Sequence, residues 1–203
     1  MADDDAIRKA CDEGDMANAA SLAIAEFGPE ILRYLGGILR DLDLADDAFS
    51  LFCERVWSGL ARFEWRCSFR TWAYLIARRA SVDVLRVDGR RRRRQRPLSS
   101  ARISAVAERV RTTTLRLLKT DAKVALTRLR DELPQEDRTL LVLRVDRALP
   151  WEDLARVFLD KESPAEDELR RESARLRKRY QLVKERLRVR AREAGLLGKD
   201  REG

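Results

Sequence analysis

The segment from Arg62 to Arg96 reads RFEWRCSFRTWAYLIARRASVDVLRVDGRRRRRQR, and it decides how the rest of the chain is interpreted. Ser68 stands where an N-cap is expected, and neither glycine nor proline interrupts the following residues until Gly89, so the pattern predicts one helix over residues 69–87. Alanines on one face would let a second helix pack closely. The stripe that mixes an aromatic ring with charge consists of Trp72, Ile76, Arg79, Asp83 and Arg86.

Gly89 is followed by a run of arginines, Arg90 to Arg94 and Arg96. Cations at this density repel one another unless counterions or phosphates lie between them, so the run predicts a nucleic-acid partner. A second interpretation of the preceding helix stays open: Trp72 belongs to the core, and Arg79, Asp83 and Arg86 form a surface ion network at i,i+3 and i,i+4 spacing.

Composition favours an all-α protein of one or two domains. Of 203 residues, 38% are charged and 44% hydrophobic, while glycine and proline number only 9 and 5. The formal charge of +8 suits a polyanion, although a membrane surface or an acidic protein would also fit. No apolar run approaches the roughly 20 residues that span a bilayer, and the first residues are acidic, where a signal peptide is basic. We expect a cytoplasmic protein without membrane insertion.

The sequence offers little for catalysis or metal binding. It contains no histidine, the commonest general base, and its three cysteines, Cys11, Cys53 and Cys67, have no C-x-x-C spacing. There is also no glycine-rich phosphate loop and no nucleophile turn. We therefore expect no catalytic residue, no metal site, no cofactor and no enzymatic activity.

The first domain is predicted over residues 15–88, after a polar segment of about 14 residues that we expect to be frayed. A helix from Met16 should break or kink at Gly28-Pro29. The next helix should begin near Asp46, so that Asp46 and Asp47 suit the positive end of the helix dipole.

Residues 89–119 are rich in arginine, serine and threonine and are interpreted as a flexible linker, with a short helix as the alternative. The second domain, residues 120–195, is predicted to be a helix-turn-helix module with an extended final helix. Ser163, Pro164 and Glu166 have the spacing of a capping arrangement, which predicts a helix from Pro164 to Ala194, about 46 Å long at 1.5 Å per residue. The alternative is an acidic loop followed by a helix that starts near Glu172.

The sequence resembles the extracytoplasmic-function sigma factors of the sigma-70 family over about residues 17–190. Residues 68–72 (SFRTW), with 76–78 (IAR) and 83–86 (DVLR) after them, resemble the family's region 2, as do 55–57 (RVW) and 62–63 (RF) before them. A looser likeness to region 4 rests on 133–134 (LP), 141–144 (LVLR), 149–155 (LPWEDLA) and 184–188 (KERLR).

The resemblance implies a non-catalytic factor that binds RNA polymerase core, recognises promoter −35 and −10 elements and stabilises melted DNA. It implies contact with the β′ clamp and the β flap, and an anti-sigma factor as a possible further partner. The residues matching the polymerase-docking positions are Asp46, Asp47, Ser50 and Arg55. Those matching the −10 contacts are Trp65, Arg66, Trp72, Arg78, Arg79, Asp83 and Arg86, with Trp65 as a stacking platform for a flipped base. Those matching the −35 contacts are Arg171, Arg175, Arg177, Lys178, Arg179 and Gln181.

The chain departs from the family pattern at Ser50-Leu51, at Arg79, and by an insertion over residues 160–169 where a tight turn is expected. Two other functions remain open: a helix-turn-helix regulator that acts without polymerase core, and an arginine-rich RNA-binding or scaffold protein. Neither of them needs an acidic docking helix beside an aromatic loop.

Overall fold

A computed structural model describes residues 2–88, 101–120 and 129–196, and all regular secondary structure in these ranges is helical. The chain divides into two compact units, Met1–Thr120 with Asp160–Ser163, and Asp121–Leu159 with Pro164–Gly203. The arginine run after Gly89 and residues 121–128, near the start of the predicted second domain, lie outside the described residues. Within the described ranges, no helix is long and apolar enough to cross a membrane.

The first unit contains five helices in the described ranges: α1 (Ala2–Asp12), α2 (Met16–Leu39), α3 (Leu42–Gly59), α4 (Phe69–Asp88) and α5 (Ala101–Thr120). A 3₁₀ turn, Leu60–Arg62, follows α3. The core lies between α2, α3 and α4, and large rings are fully buried there, among them Tyr34, Phe49 and Tyr74. Because α3 and α4 both pack in this core, it sets the position of the α3 surface and of the loop that precedes α4.

Side-chain caps set the starts of these helices. Asp15 accepts a hydrogen bond from the Asn18 backbone N–H at 3.0 Å, and Ser68 accepts one from the Thr71 N–H at 3.1 Å, as the sequence predicted for α4. The Asp41 carboxylate accepts hydrogen bonds from the backbone N–H groups of Asp43 and Leu44. Helix α3 therefore begins at Leu42, and the interpretation of Asp46 and Asp47 as first-turn capping residues is wrong.

Helix α2 runs without interruption from Met16 to Leu39, so the break expected at Gly28-Pro29 is absent. Proline in a helix interior removes one backbone hydrogen bond and strains the preceding turn. Here the flanking residues Phe27, Gly28 and Ile31 are buried, and their packing holds the helix together through Pro29.

Helix α1 replaces the frayed N-terminal segment that the sequence predicted. Ile7 and Ala10 are buried at 1% and 3% exposure, and the helix packs on α2. Their i,i+3 spacing forms a short apolar stripe among charged residues, which a composition-based interpretation overlooks.

Helix α5 corrects the linker prediction for residues 101–119. This stretch is helical, and it packs on α2 and α3 within the first unit. Val106, Ala107, Val110 and Thr114 are buried, with 7% exposure or less. The short-helix alternative is the interpretation that the structure confirms, over a longer range than expected.

In the second unit, α6 (Gln135–Leu141) continues as a π-helical turn (Val142–Asp146) and is followed by α7 (Trp151–Leu159) and α8 (Glu166–Glu193). The 28 residues of α8 span about 42 Å at 1.5 Å per residue, so the long-helix prediction is confirmed and a start near Glu172 is excluded. Helix α8 begins at Glu166, two residues later than the predicted start at Pro164. Ala165 is the N-cap residue, and its backbone N–H donates a hydrogen bond to the Glu168 carboxylate at 3.0 Å. The capping carboxylate is thus Glu168 rather than Glu166.

One face of α8 packs on α6 and α7. Leu169, Leu176 and Val183 are buried, and the Tyr180 ring meets the Trp151 ring edge-on with centroids 5.6 Å apart. Leu169, Leu176 and Val183 form one apolar stripe along α8.

The second unit also buries one carboxylate. Asp137 on α6 is 5% exposed and pairs with two arginines of α8, Arg179 at 2.6 Å and Arg186 at 3.1 Å. A buried carboxylate with two cationic partners fixes the position of α8 along α6.

Candidate nucleic-acid and partner interface

The loop between α3 and α4, residues 63–68, is built on stacked aromatic rings. Phe63 packs against Trp72 with centroids 4.7 Å apart and against Trp65 at 4.8 Å. Phe63 and Trp72 are buried, whereas Trp65 is half-buried. Trp65 is thus the most accessible of these three rings.

Trp65 has a backbone φ of 56°, in the left-handed region that bulky residues rarely adopt. This conformation costs about 1–2 kcal/mol for a residue with a β-carbon. Strain of this kind persists where the surrounding structure imposes it, and it concentrates at ligand-binding positions. The conformation therefore points to a functional role for Trp65 beyond packing.

Trp72 is only 3% exposed and lies in the ring cluster with Phe63 and Phe69. Such a ring cannot stack on a base in this conformation. The core interpretation of Trp72 is therefore confirmed, while its assignment to the −10 contacts stays a prediction.

Helix α1 contributes two residues to the loop that the sequence analysis missed. Arg8 places its guanidinium over the Trp65 ring, 5.6 Å from the ring centroid. The Asp4 carboxylate accepts a hydrogen bond from the Phe69 backbone N–H at 3.2 Å, at the start of α4. Because their partners are about 60 residues away in sequence, no local pattern could have revealed these contacts.

The basic face of α4 is partly committed to ion pairs. Asp83 accepts from Arg55 of α3 at 2.5 Å and lies 3.8 Å from Arg86 on its own helix. The predicted pair of Asp83 and Arg86 is therefore present, and Arg55 joins it as an additional partner of Asp83. Arg55, expected at the polymerase interface, and Asp83, expected at the −10 element, thus join α3 to α4.

Three further arginines of the predicted −10 set flank this network. Arg66 is exposed and pairs with Glu64 of the same loop at 2.7 Å. Arg78 and Arg79 are intermediate in exposure on α4. Together with Arg86 they place cationic groups along one helix and the loop that precedes it, an arrangement that suits a phosphate backbone.

The acidic positions on α3 lie one turn beyond its N-terminus. Asp46 pairs with Arg111 of α5 at 2.6 Å, and the side chains of both are 17% exposed. Ser50 donates its hydroxyl hydrogen to the Asp46 carbonyl at 3.0 Å, and Asp47 beside them is half-buried. Burial raises the pKa of the Asp46 carboxyl, although the neighbouring Arg111 acts in the opposite direction.

The predicted −35 residues are all on α8 and differ in how they are engaged. Arg171 pairs with Asp167, and Arg175 pairs with Glu172 at 2.5 Å, each within the helix. Arg179 is held by the buried Asp137. The remaining members of the set are exposed: Arg177, which stacks over Trp151 at 5.7 Å, Lys178 and Gln181.

Comparison with known proteins gives one family. Residues 23–94 match Sigma-70 region 2, which spans most of α2, all of α3, the aromatic loop and α4. The match supports a sigma-factor role for this segment, in RNA polymerase binding and promoter melting. No curated protein and no solved structure matches the chain.

Proposed function

We propose that this chain, which carries a sigma-70 region 2, is a sigma factor of the extracytoplasmic-function type that directs RNA polymerase core to promoters with −35 and −10 elements. The observation that carries the proposal is the position of the family match: residues 23–94 coincide with the α2–α4 core that presents both the acidic α3 surface and the strained aromatic loop. The domain over residues 15–88 would act as region 2, and that over 120–195 as region 4.

Helix α3 supplies the polymerase contact in this proposal. Asp46, Asp47 and Ser50 lie within two turns of one another on this helix, and we assign them to contact with a basic surface of the β′ clamp. Arg55 contributes indirectly, because its ion pair with Asp83 sets the position of α4 relative to α3. A contact made by α3 therefore orients the DNA-binding helix.

The aromatic loop and α4 supply the −10 contact. The half-buried Trp65 ring accepts a base that leaves the duplex once Arg8 moves off the ring, and stacking on an aromatic ring is worth roughly 1–3 kcal/mol per base. Arg66, Arg78, Arg79 and Arg86 neutralise phosphates alongside. Strand opening is then driven by binding free energy, without a catalytic residue.

The second unit reads the −35 element in this proposal, with α7 and α8 as the helix pair of a helix-turn-helix. Lys178 and Gln181 are exposed one turn apart on α8, in position to meet base edges in a major groove. Arg171 and Arg175 exchange their carboxylate partners for phosphates when DNA binds. The same unit meets the β flap.

The proposal is tested by Asp47→Ala, with Asp12→Ala on α1 as the matched control that loses the same charge outside the region 2 match. We expect Asp47→Ala to weaken binding to bacterial polymerase core at least about tenfold, or 1.4 kcal/mol. The unfolding midpoint should stay unchanged. Equal core affinity of the two variants and the parent chain would contradict the proposal.

A further inference from the structure

Helix α5 lies on the surface that the proposed function assigns to polymerase. It packs on both α2 and α3, and its buried stripe consists of Val106, Ala107, Val110 and Thr114. The helix lies beyond the region 2 match, which ends at residue 94. It is therefore an addition to the family domain rather than part of its core.

Helix α5 approaches α2 closely at Gly28. A β-carbon at this position would lie 3.2 and 3.3 Å from the two methyl carbons of Val110, and 3.4 Å from the Phe49 ring. A side chain at residue 28 would therefore require Val110 to shift by a few tenths of an ångström, and glycine avoids this crowding. The contact between α2 and α5 is therefore located at Gly28 and Val110.

Arg111 connects α5 to α3 by three contacts. Its guanidinium lies 2.6 Å from Asp46, donates a hydrogen bond to the Ser50 hydroxyl, and sits over the Phe49 ring at 5.8 Å. Asp46 and Ser50 are two of the positions proposed to meet the β′ clamp. While α5 is docked, Arg111 occupies the place that a basic group of a partner would take.

Docking α5 removes a carboxylate from water, and the free-energy cost of that step limits how tightly the helix is held. Burial is the largest of the effects on the Asp46 pKa and raises it, while Arg111 acts in the opposite direction. A partner that brings a cationic group to Asp46 would therefore compete with Arg111 for the same carboxylate.

We infer that α5 is an intramolecular cover of the polymerase-docking surface of α3, which core polymerase must displace in order to bind. The inference rests on the proposed function, because it takes Asp46, Asp47 and Ser50 as the docking residues. In the free chain, the docked α5 then lowers the affinity for core polymerase. Any contact that displaces α5 from α3 raises that affinity.

A reversible cross-link tests the cover directly. Gly28→Cys with Val110→Cys places two sulfurs at the helix contact. A β-carbon at residue 28 would lie 3.2 Å from a Val110 methyl carbon, which is the position that a cysteine sulfur takes at residue 110. Cys11→Ser and Cys67→Ser in the full chain remove the two partly exposed thiols, and buried Cys53 is kept. Oxidised and reduced forms are then compared for binding to bacterial core polymerase.

We expect the oxidised form to bind core at least about tenfold more weakly than the same protein after dithiothreitol, and the reduced form to match the parent or exceed it. Equal binding by the oxidised and reduced forms would overturn the cover. Failure of the parent and the reduced form alike to bind core would overturn the proposed function, and this inference with it.

A single substitution gives a second test without a cross-link. Arg111→Ala removes the connection to Asp46 and Ser50, and Arg109→Ala removes an exposed arginine from the same helix as the matched control. We expect Arg111→Ala to tighten core binding and Arg109→Ala to leave it unchanged. If Arg111→Ala instead weakens core binding, Arg111 is itself a polymerase contact and the cover is refuted.

Discussion

Trp65→Gly separates the function of the aromatic loop from its stability. The substitution removes the ring that we propose as the base platform, and it places glycine at a φ of 56°, where glycine has no steric cost. The lost contacts with Arg8 and Phe63 are worth about 1–2.5 kcal/mol together. Relief of the left-handed backbone returns about 1–2 kcal/mol. These pair values leave out the lost burial of about half of the ring, which is worth roughly a further 2–3 kcal/mol, so the free energy of unfolding should fall by about 1–4 kcal/mol.

Promoter opening should fall as well, and it can be measured separately from stability. Loss of one stacked base costs roughly 1–3 kcal/mol, which corresponds to an opening equilibrium about 5- to 150-fold less favourable. Permanganate reactivity of −10 thymines in complexes of the chain with core polymerase measures this equilibrium, while filter binding confirms that closed complexes persist. Trp65→Phe is the matched control, because it keeps a stacking ring. Unchanged permanganate reactivity in Trp65→Gly would refute the platform and leave Trp65 a packing residue.

Three further outcomes follow from the structure. Asp137→Ala should lower the stability of the second unit by about 2–3 kcal/mol in urea unfolding, because Arg179 loses a buried partner but stays near water; a loss below about 0.5 kcal/mol would contradict this. Burial raises the pKa of Cys53 to about 12, so this thiol should stay unmodified by an aromatic disulfide reagent at pH 8 until the chain is unfolded, and prompt modification in the native state would contradict its burial. Amide exchange at residues 167–171 should be slow like that around Leu176, and fast exchange there would contradict an α8 that begins at Glu166.

Capping residues and periodicity in the sequence were enough to predict the long helices α4 and α8. Ser68 caps α4 as predicted, and uninterrupted polar and apolar periodicity after Pro164 gave α8 to within two residues. The same signals misplaced the start of α3, because Asp41 competes with Asp46 as a capping residue and only the fold shows which one accepts the backbone N–H groups. Local chemistry therefore predicted the existence of elements better than their boundaries.

Contacts between segments that are distant in the chain could not be predicted from the sequence. Helix α1 was expected to be frayed and α5 to be a linker, because each carries only a short apolar stripe among many charges. Both are held by tertiary partners, α1 through Ile7 and α5 through the groove at Gly28. In the same way, the burial of Trp72 depends on Phe63 and Phe69, which pack around it only in the folded unit.

Transcription reconstituted with bacterial core polymerase on a library of promoter fragments tests the central claim most directly. The account predicts defined start sites that depend on this chain, each preceded by a shared pair of −35 and −10 sequences. Binding to these fragments without core should be weak by comparison. A folded chain that binds DNA or RNA but yields no specific start site with core would contradict the sigma-factor account.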